Sequence, residues 1–458
     1  MKGTLNKYFS ESSPVVAVEL FSSGWCNLEC KYCYIPKTDF LKGIHKGIIE
    51  RIKDGTFIDD IKEIYGDSLE TIAHWGTEPT LTVTQFKDFY KKAAIEFPKL
   101  KSVKISSNFM TNPNNLLRWV TEIIPQDKKM DVSIQVSLDG PPFITDKNRL
   151  GGSTYQIIEN CLEFTREINK VGTRHNVRMH LKPTAGDDDI IALSDMNKTI
   201  EYYEFFDEFM TQWFEANKNN AVGIMASVDP TLVLPGTYTQ EDGQNFYKLL
   251  LNQLELQNRK WKSITPPESN YYWRYREKFP FYKEFVIKHR MFPCSAGDSC
   301  FALGDIPGTN HICHQSFYMD HPEYFEEARK YGLDPQTMEG IAAGRVDIIK
   351  KNFITHKDDE LKTSRMLYLT RAFNDFVEMK KSVAIAQTLE LAHCGQINPI
   401  YKNAHMAEQL SYMLVSLSCP MDNTTITGSQ LINCMSLIRV FANGVFENIF
   451  ERVIKEYK

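Results

Sequence analysis

The sequence predicts an α/β fold made of a partial (β/α)6 TIM-like barrel, a C-terminal domain and a helical tail. Across the first half of the chain, six β-rich runs alternate with helical patterns, and this alternation is typical of a parallel sheet with crossover helices. Six such units are too few to close an eight-stranded barrel. At 458 residues, the chain is long enough for that partial barrel and for a second body beside it.

The predicted elements follow in chain order. The six strands are Val15–Phe21, Thr71–Trp75, Ser102–Ser106, Val132–Leu138, Asn176–Lys182 and Val222–Val228. The helices between them are Leu41–Lys53, Thr84–Glu96, Leu116–Ile124, Tyr155–Lys170 and Ile190–Ala216. Short runs with β-branched and aromatic residues indicate the strands, and longer repeats with a period near 3.6 indicate the helices.

The pattern changes after Pro235. Gln240–Gln257 has the spacing of one amphipathic helix, and the tail Gln430–Lys458 carries apolar residues at helical spacing, which predicts a helix packed on the body. We therefore expect three parts. These are a barrel at residues 1–230, a helical bridging segment at 231–290, and a C-terminal domain with its helices at 291–458.

Composition excludes several classes of protein. The 53 basic and 58 acidic side chains give a net charge of −5, which predicts neither nucleic acid nor an anionic membrane as a partner. No apolar run approaches the roughly 18 residues of a membrane helix, and the first residues lack the apolar segment of a secretory signal. We expect a cytoplasmic protein, in which ten cysteines call for a metal or catalytic explanation before a disulfide one.

Three cysteines crowd together after the first predicted strand, as Cys26-x3-Cys30-x2-Cys33. Three thiolates on one tight loop can hold three irons of a [4Fe–4S] cube and leave the fourth iron open. An open coordination position is a place for chemistry, and the spacing fits structural zinc poorly. The lone Cys161, in contrast, is expected to be a small apolar residue on a helix.

Polar residues also follow the next three predicted strands. Glu78 follows the second strand, Asn108 the third and Asp139 the fourth. In parallel β/α barrels the carboxyl ends of the strands meet on one face, where active sites are built. We expect the cysteine loop and these three side chains to converge there.

The triplet, with the aromatic Tyr32 before its last cysteine, resembles the signature of the radical S-adenosylmethionine (SAM) enzymes. The segment Trp75–Thr80 resembles the GGEPT segment of that family, which contacts the SAM amino group and here contributes Gly76 and Glu78. The second glycine is replaced by Thr77. The other positions matched to SAM contacts are Asn108, Ser137 and Asp139 for the ribose and Arg149 for the carboxylate.

This resemblance implies that SAM chelates the open iron. One electron, from a donor such as flavodoxin or ferredoxin, then cleaves SAM to a 5′-deoxyadenosyl radical that removes a hydrogen atom from the substrate.

A second triplet, Cys294-x5-Cys300-x12-Cys313, lies in a glycine-rich segment where Gly304–Gly308 predicts a hairpin tip. It resembles the start of the SPASM or twitch domain, which carries auxiliary iron–sulfur clusters. On that resemblance Cys419 is the favoured fourth ligand. The alternatives are Cys394 and Cys434, and after them His311, His314 and His393.

The dense cysteine run of a full SPASM domain is missing, so we expect one auxiliary [4Fe–4S] cluster. Cys394 and Cys434 would then be free thiols, for which an inert buried role is favoured over hydrogen-atom donation.

The same resemblance implies a peptide or protein substrate, and the favoured reaction is a cross-link in a ribosomally made precursor. One alternative is a sulfatase-maturing, formylglycine-forming enzyme, whose basic aspartate is replaced by His314. The others are a small-molecule radical SAM dehydrogenase and a non-catalytic iron–sulfur redox protein. Few residues precede the first strand, so a peptide leader is expected to bind the barrel rim, the C-terminal half or a separate leader-binding protein.

Overall fold

The computed structural model describes residues 17–226 apart from 34 and 36. Beyond them it describes residues 231–232, positions 241, 245, 248, 249 and 252, residues 300–311 except 309, residues 317–330 except 319, and residues 385–407 except 398. The five positions between 241 and 252 are all helical, as the predicted helix there requires. The predicted tail helix lies outside the described residues.

The strands form one eight-stranded sheet and a small two-stranded ladder. In chain order they are β1 (Ala17–Ser23), β2 (Thr71–Gly76), β3 (Ser102–Ser107), β4 (Asp131–Val136), β5 (Asn176–Leu181), β6 (Thr184–Ala185), β7 (Val222–Ala226), β8 (Thr231–Leu232), β9 (Cys300–Leu303) and β10 (Asn310–His311). The large sheet has the order β10-β9-β1-β2-β3-β4-β5-β7, and β6 pairs with β8. All neighbours from β9 to β7 are parallel. The predicted α/β class and its six parallel strands are confirmed.

In the described residues the helices connect successive strands along the chain, apart from the last one, which follows β10. They are α1 (Asp39–Asp54), α2 (Thr56–Tyr65), α3 (Lys87–Glu96), α4 (Asn114–Arg118), α5 (Pro142–Asn148), α6 (Ser153–Val171), α7 (Asp187–Leu193), α8 (Met196–Ala216) and α9 (Phe325–Lys330). Residues 385–393 are also helical. No helix in the described part of the chain combines the length and apolarity that a membrane span requires.

The helices depart from the prediction in several places, and no helix was predicted where α2 lies. The predicted Ile190–Ala216 is two helices, since the Asp195 side chain accepts hydrogen bonds from the amides of Asn197 and Lys198 and so caps α8. The short α5 was not predicted, and it begins with Pro142 in the first turn, where proline is tolerated. Cys161 is fully buried on α6, as predicted.

The hairpin of the second cysteine segment extends the barrel sheet. β9 runs parallel to β1 with Cys300 opposite Ala17, and β10 turns back antiparallel to β9, so the predicted hairpin tip is confirmed. Arg51 of α1 donates to the carbonyl of Gly304 at 2.6 Å and pairs with Asp60. The amide of Gly308 in turn donates to Asp60 Oδ2 at 2.6 Å. A buried ion pair therefore joins the hairpin to two helices of the barrel.

A buried polar network lies between the sheet and the helix layer. Ser22 Oγ lies 2.5 Å from His74 Nδ1 and donates to the carbonyl of Leu20. His74 Nε2 lies 2.6 Å from the hydroxyl of Tyr90. Because the Ser22 hydroxyl donates to the Leu20 carbonyl, its oxygen acts as the acceptor for the imidazole. The imidazole proton is therefore assigned to Nδ1, and Nε2 accepts from the Tyr90 hydroxyl. All three side chains are buried, and burial lowers the pKa of His74 to about 3.

This network predicts a pH-dependent contribution to stability. Between pH 6.5 and about 3, the unfolded chain takes up a proton on His74 while the folded chain does not, so the free energy of unfolding falls as the pH falls, by about 1.4 kcal/mol per pH unit from this group. Urea unfolding of wild type and His74→Gln at pH 7 and pH 5 measures the difference. The prediction is wrong if both proteins lose the same free energy of unfolding over that range.

Candidate functional site

The first cysteine triplet lies on a loop that leaves the carboxyl end of β1. The amide of Leu28 donates to Cys26 Sγ at 3.4 Å, and the amide of Cys33 donates to the carbonyl of Cys30 at 3.0 Å. Cys26 and Cys30 are half-buried, while Cys33 is exposed. Two local turns therefore present three thiols from eight consecutive residues.

The environment of two of these thiols combines burial with hydrogen-bond donors. Burial raises the pKa of Cys26 to about 11 and also raises the pKa of Cys30. Asn108 Nδ2 lies 3.8 Å from Cys26 Sγ, and Arg149 Nη1 lies 3.8 Å from Cys30 Sγ. Such N–H donors stabilise sulfur that carries negative charge, as in thiolates bound to iron.

The loop after β2 packs directly on the cysteine loop. Gly76 has φ +133°, and a Cβ at this position would lie 2.4 Å from the carbonyl oxygen of Ser23. The amide of Glu78 donates to the carbonyl of Trp25 at 3.1 Å. Only glycine permits this approach at position 76, which gives a physical reason for that residue in the segment.

Glu78 and Asn108 meet as the strand order predicts. The buried Glu78 carboxylate accepts from the amide of Asn108 at 2.7 Å, and from the amide and hydroxyl of Thr80. Burial raises the pKa of Glu78. The Asn108 side chain then donates to Asn27 Oδ1 at 2.8 Å. Glu78 therefore connects the ends of β2 and β3, and Asn108 continues that connection to the cysteine loop.

Asp139 forms a buried pair with Arg149. Arg149 donates to both carboxylate oxygens, through Nε at 2.7 Å and Nη2 at 2.9 Å. The Tyr32 hydroxyl and the amide of Thr184 donate to the same carboxylate. The Arg149 guanidinium also lies over the Tyr32 ring, 5.6 Å from its centroid. Although burial lowers the pKa of Arg149, the Asp139 charge holds it above its usual value.

This pairing is a relation that sequence reasoning missed, because it matched Asp139 and Arg149 to separate contacts with SAM. In the structure the Asp139 carboxylate has four protein donors, and a carboxylate offers about four lone-pair sites. The third guanidinium nitrogen of Arg149, Nη1, lies near Cys30 Sγ. The proposed contacts of these two residues with SAM stay predictions.

Of the other predicted site residues, the structure describes some and does not describe the rest. Ser137 is half-buried, and its amide donates to the carbonyl of Ser107 at 2.9 Å, so it follows β4 beside the end of β3. The backbone of Cys300 pairs with Ala17, at the amino end of β1 and so at the opposite end of the sheet from the first triplet. Five of the candidate residues lie outside the described residues: Cys294, Cys313, His314, Cys419 and Cys434. Cys394 is exposed, so the expectation that it is buried was wrong.

The inner face of the sheet was not singled out from the sequence. Along each strand the side chains point alternately to the two faces of the sheet. On the inner face the register aligns Lys104, Ser133 and Arg178 across β3, β4 and β5. One step toward the cysteine loop, Gln135 lies beside His180. Closed barrels fill this space with bulky apolar side chains, whereas these five residues are half-buried or exposed and polar. The polar alternation of β3 and β4 was the signal that could have revealed this face.

Two titratable groups on this inner face have shifted pKa values. Burial raises the pKa of Glu19 to about 7, partly offset by Lys104. Burial, with Lys182 and Lys104, lowers the pKa of His180 to about 4. Burial therefore favours the neutral form of both groups.

The donor set of the first triplet fits an iron–sulfur cluster. Among the residues that the structure describes, no three His, Cys, Asp or Glu side chains form a cage for a single metal ion. A single zinc ion with Zn–S bonds of about 2.3 Å would draw its thiolates close together, whereas a cube binds each cysteine through a different iron. Three thiols on one loop, two of them near N–H donors, are suited to bind iron in this second way.

No family model matches the chain, and no curated protein sequence matches it. Among solved structures, the chain is similar to "Native anSMEcpe with bound AdoMet", at 14% identity over 65% of this chain and 74% of that chain, with a TM-score of 0.39. It is also similar to "Crystal structure of Streptococcus suis SuiB bound to precursor peptide SuiA", at 12% identity over 66% of this chain and 60% of that chain, with a TM-score of 0.37. Because these TM-scores are below 0.5, we base the functional proposal on the residues of this chain.

The buried Asp139–Arg149 pair predicts a large effect of a small substitution. Asp139→Asn places an amide against the N–H groups of Arg149 and leaves a buried charge without its partner, so we expect a loss of about 3–5 kcal/mol in the free energy of unfolding. Asp188→Asn, at a more exposed ion pair with Lys147, should change it by less than about 1 kcal/mol. Urea unfolding of the three proteins checks this prediction, and similar losses in both variants would contradict it.

Proposed function

We propose that this chain is a radical SAM enzyme. The observation that carries the proposal is the loop of Cys26, Cys30 and Cys33 at the carboxyl end of β1, surrounded by side chains from the carboxyl ends of β2, β3 and β4. Three thiols suit a [4Fe–4S] cube with one open iron. When bound, that cube would supply one electron, received from an external donor, for the reductive cleavage of SAM and so for hydrogen abstraction from the substrate.

In this proposal the chain's own residues position the two cofactors. Asn108 Nδ2 and Arg149 Nη1 direct N–H groups at Cys26 and Cys30, where they stabilise thiolate charge. Gly76 keeps the loop after β2 close to Ser23, and this closeness holds Glu78 beside the cysteine loop. We assign the SAM amino group to the Gly76–Glu78 segment, as its resemblance to the GGEPT segment implies.

Ser137, Asn108 and Asp139 are proposed to lie along the SAM ribose, and Arg149 near its carboxylate. Asp139 already accepts four hydrogen bonds from the protein. Its proposed contribution is therefore to hold Arg149 and Tyr32 in place. A preorganised guanidinium binds a carboxylate without first paying the entropy of ordering its side chain.

For the substrate we propose a peptide, with cross-linking of a ribosomally made precursor as the reaction. The open, polar inner face of the sheet, with Lys104, Ser133 and Arg178 in register, offers space and hydrogen-bonding groups for a backbone. Formylglycine formation, with His314 as base, and dehydrogenation of a small molecule remain the alternative reactions. A one-electron donor such as flavodoxin or ferredoxin is the proposed partner, approaching near the exposed Cys33.

We also propose one auxiliary [4Fe–4S] cluster held by Cys294, Cys300, Cys313 and Cys419. Of these four residues the structure describes Cys300, which begins β9 of the hairpin. The resemblance of the second triplet to the start of the SPASM or twitch domain supports this assignment.

Reductive SAM cleavage tests the proposal directly. Anaerobically reconstituted and reduced wild-type protein should form 5′-deoxyadenosine from SAM, and the triple variant Cys26→Ala, Cys30→Ala, Cys33→Ala should form none above background, because the open iron has no ligands left. Chromatographic quantification of 5′-deoxyadenosine is the measurement. Cys161→Ala, at a buried cysteine away from the site, is the matched control. Cleavage that survives in the triple variant would refute the proposal.

The iron content tests the cluster number separately. Two cubes correspond to about eight irons per chain, and Cys294→Ala together with Cys300→Ala should lower this to about four while the first cluster keeps its SAM-dependent electron paramagnetic resonance signal. About twelve irons in wild type would contradict the proposal of a single auxiliary cluster. About four in wild type would show that there is none.

A further inference from the structure

Thr77 stands where the GGEPT segment has its second glycine, and its side chain makes contacts that a glycine cannot make. The Thr77 hydroxyl donates to the carbonyl of Trp25, with the carbonyl of Ser23 as a second acceptor at 3.2 Å. The Thr77 amide donates to the same Ser23 carbonyl at 3.0 Å. One residue therefore binds two carbonyls of the turn that leads into the cysteine loop.

The two ends of this bridge are adjacent to the two groups that matter most in the site. Trp25 directly precedes Cys26, and Thr77 directly precedes Glu78. The amide of Glu78 donates to the Trp25 carbonyl as well, at 3.1 Å. One side-chain and two backbone hydrogen bonds, all to the carbonyls of Ser23 and Trp25, thus set the distance from the first thiol to the Glu78 segment.

The backbone around the bridge cannot easily compensate for its loss. Gly76, at φ +133°, already lies so close to Ser23 that a Cβ would collide with its carbonyl. Ser23 Oγ donates to the Trp25 carbonyl at 2.9 Å and accepts from the Trp25 amide at 3.1 Å, so this turn is itself closed. Without the hydroxyl, Thr77 itself contacts this turn only through its backbone amide, which donates to Ser23.

We propose that Thr77 is a positioning residue, whose hydroxyl sets the placement of the Glu78 segment relative to Cys26 and thereby the affinity for SAM. This proposal rests on the proposed radical SAM function. Thr77 acts through the carbonyl of Trp25 and need not touch SAM. In this chain the Thr77 hydroxyl makes a hydrogen bond at a position where the GGEPT segment has a glycine, which has no side chain to donate one.

The test uses Thr77→Val, which keeps the shape and removes the hydroxyl, and Thr77→Ser, which keeps the hydroxyl. Thr82→Val is the matched control, because the buried Thr82 hydroxyl donates to the carbonyl of Ser22, one residue before Ser23, but does not reach Trp25. In reconstituted protein, Thr77→Val should raise the SAM concentration for half-maximal 5′-deoxyadenosine formation about tenfold, as expected for one lost buried hydrogen bond. Iron content should stay equal, and Thr77→Ser and Thr82→Val should match wild type.

The outcomes separate positioning from stability. A Thr77→Val variant with wild-type SAM dependence overturns the proposal, and so does an equal change in Thr82→Val. Should Thr77→Val fail to fold, Thr77→Ala is measured against Thr77→Ser with the same expectation.

Hydrogen exchange in the metal-free protein gives a readout that does not depend on the proposed function. The amides of residues 25–33 should exchange faster in Thr77→Val than in Thr77→Ser. Unchanged exchange overturns the bridge. A wild-type protein that cleaves no SAM, with the exchange difference intact, refutes the proposed function but leaves the bridge standing.

Discussion

The parallel alignment of β1, β2, β3 and β4 is the constraint on which the candidate site depends. Because the four strands point the same way, the segments that leave them arrive at one edge, and each contributes one piece of the site. The four pieces lie in separate segments of the sequence: the cysteine loop, the Glu78 segment, Asn108 and Asp139. Their hydrogen bonds cross between neighbouring strand ends, from Trp25 to Glu78 and from Glu78 to Asn108. A change of register in this sheet would separate them all.

Burial gives these contacts their strength. Glu78, Asp139 and Arg149 are almost wholly removed from solvent, so each needs internal partners to offset the lost hydration. The structure supplies them in two different ways. Glu78 accepts hydrogen bonds from neutral amides and hydroxyls, which lower its pKa, but burial raises its pKa by more. Asp139 is paired with a full positive charge, and the pair is held by four donors to one carboxylate. The first arrangement leaves the carboxyl group with a raised pKa, while the second keeps a guanidinium charged beside Cys30.

The two cysteine segments are joined through the sheet itself. β9 is hydrogen-bonded along β1, the strand that leads into the first triplet, and the Arg51–Asp60 pair holds the hairpin tip on the outer helices. The alignment places Cys300 at the amino end of β1 and Cys26 beyond its carboxyl end. The inner face of the sheet, polar and open, lies between these ends.

The sequence alone determined the class of fold and the triplet of thiols, because strand and helix periodicity and the spacing of cysteines are local properties of the chain. It also indicated which strand ends would carry polar groups. It did not show that Asp139 pairs with Arg149, that Thr77 bridges to Trp25, or that β9 joins β1. Those contacts link residues 10, 52 and 283 positions apart in the chain. The second and third exist because parallel strands bring distant segments together. The first forms within the segment after β4, where burial requires each charge to have a partner. Only the tertiary structure decided them.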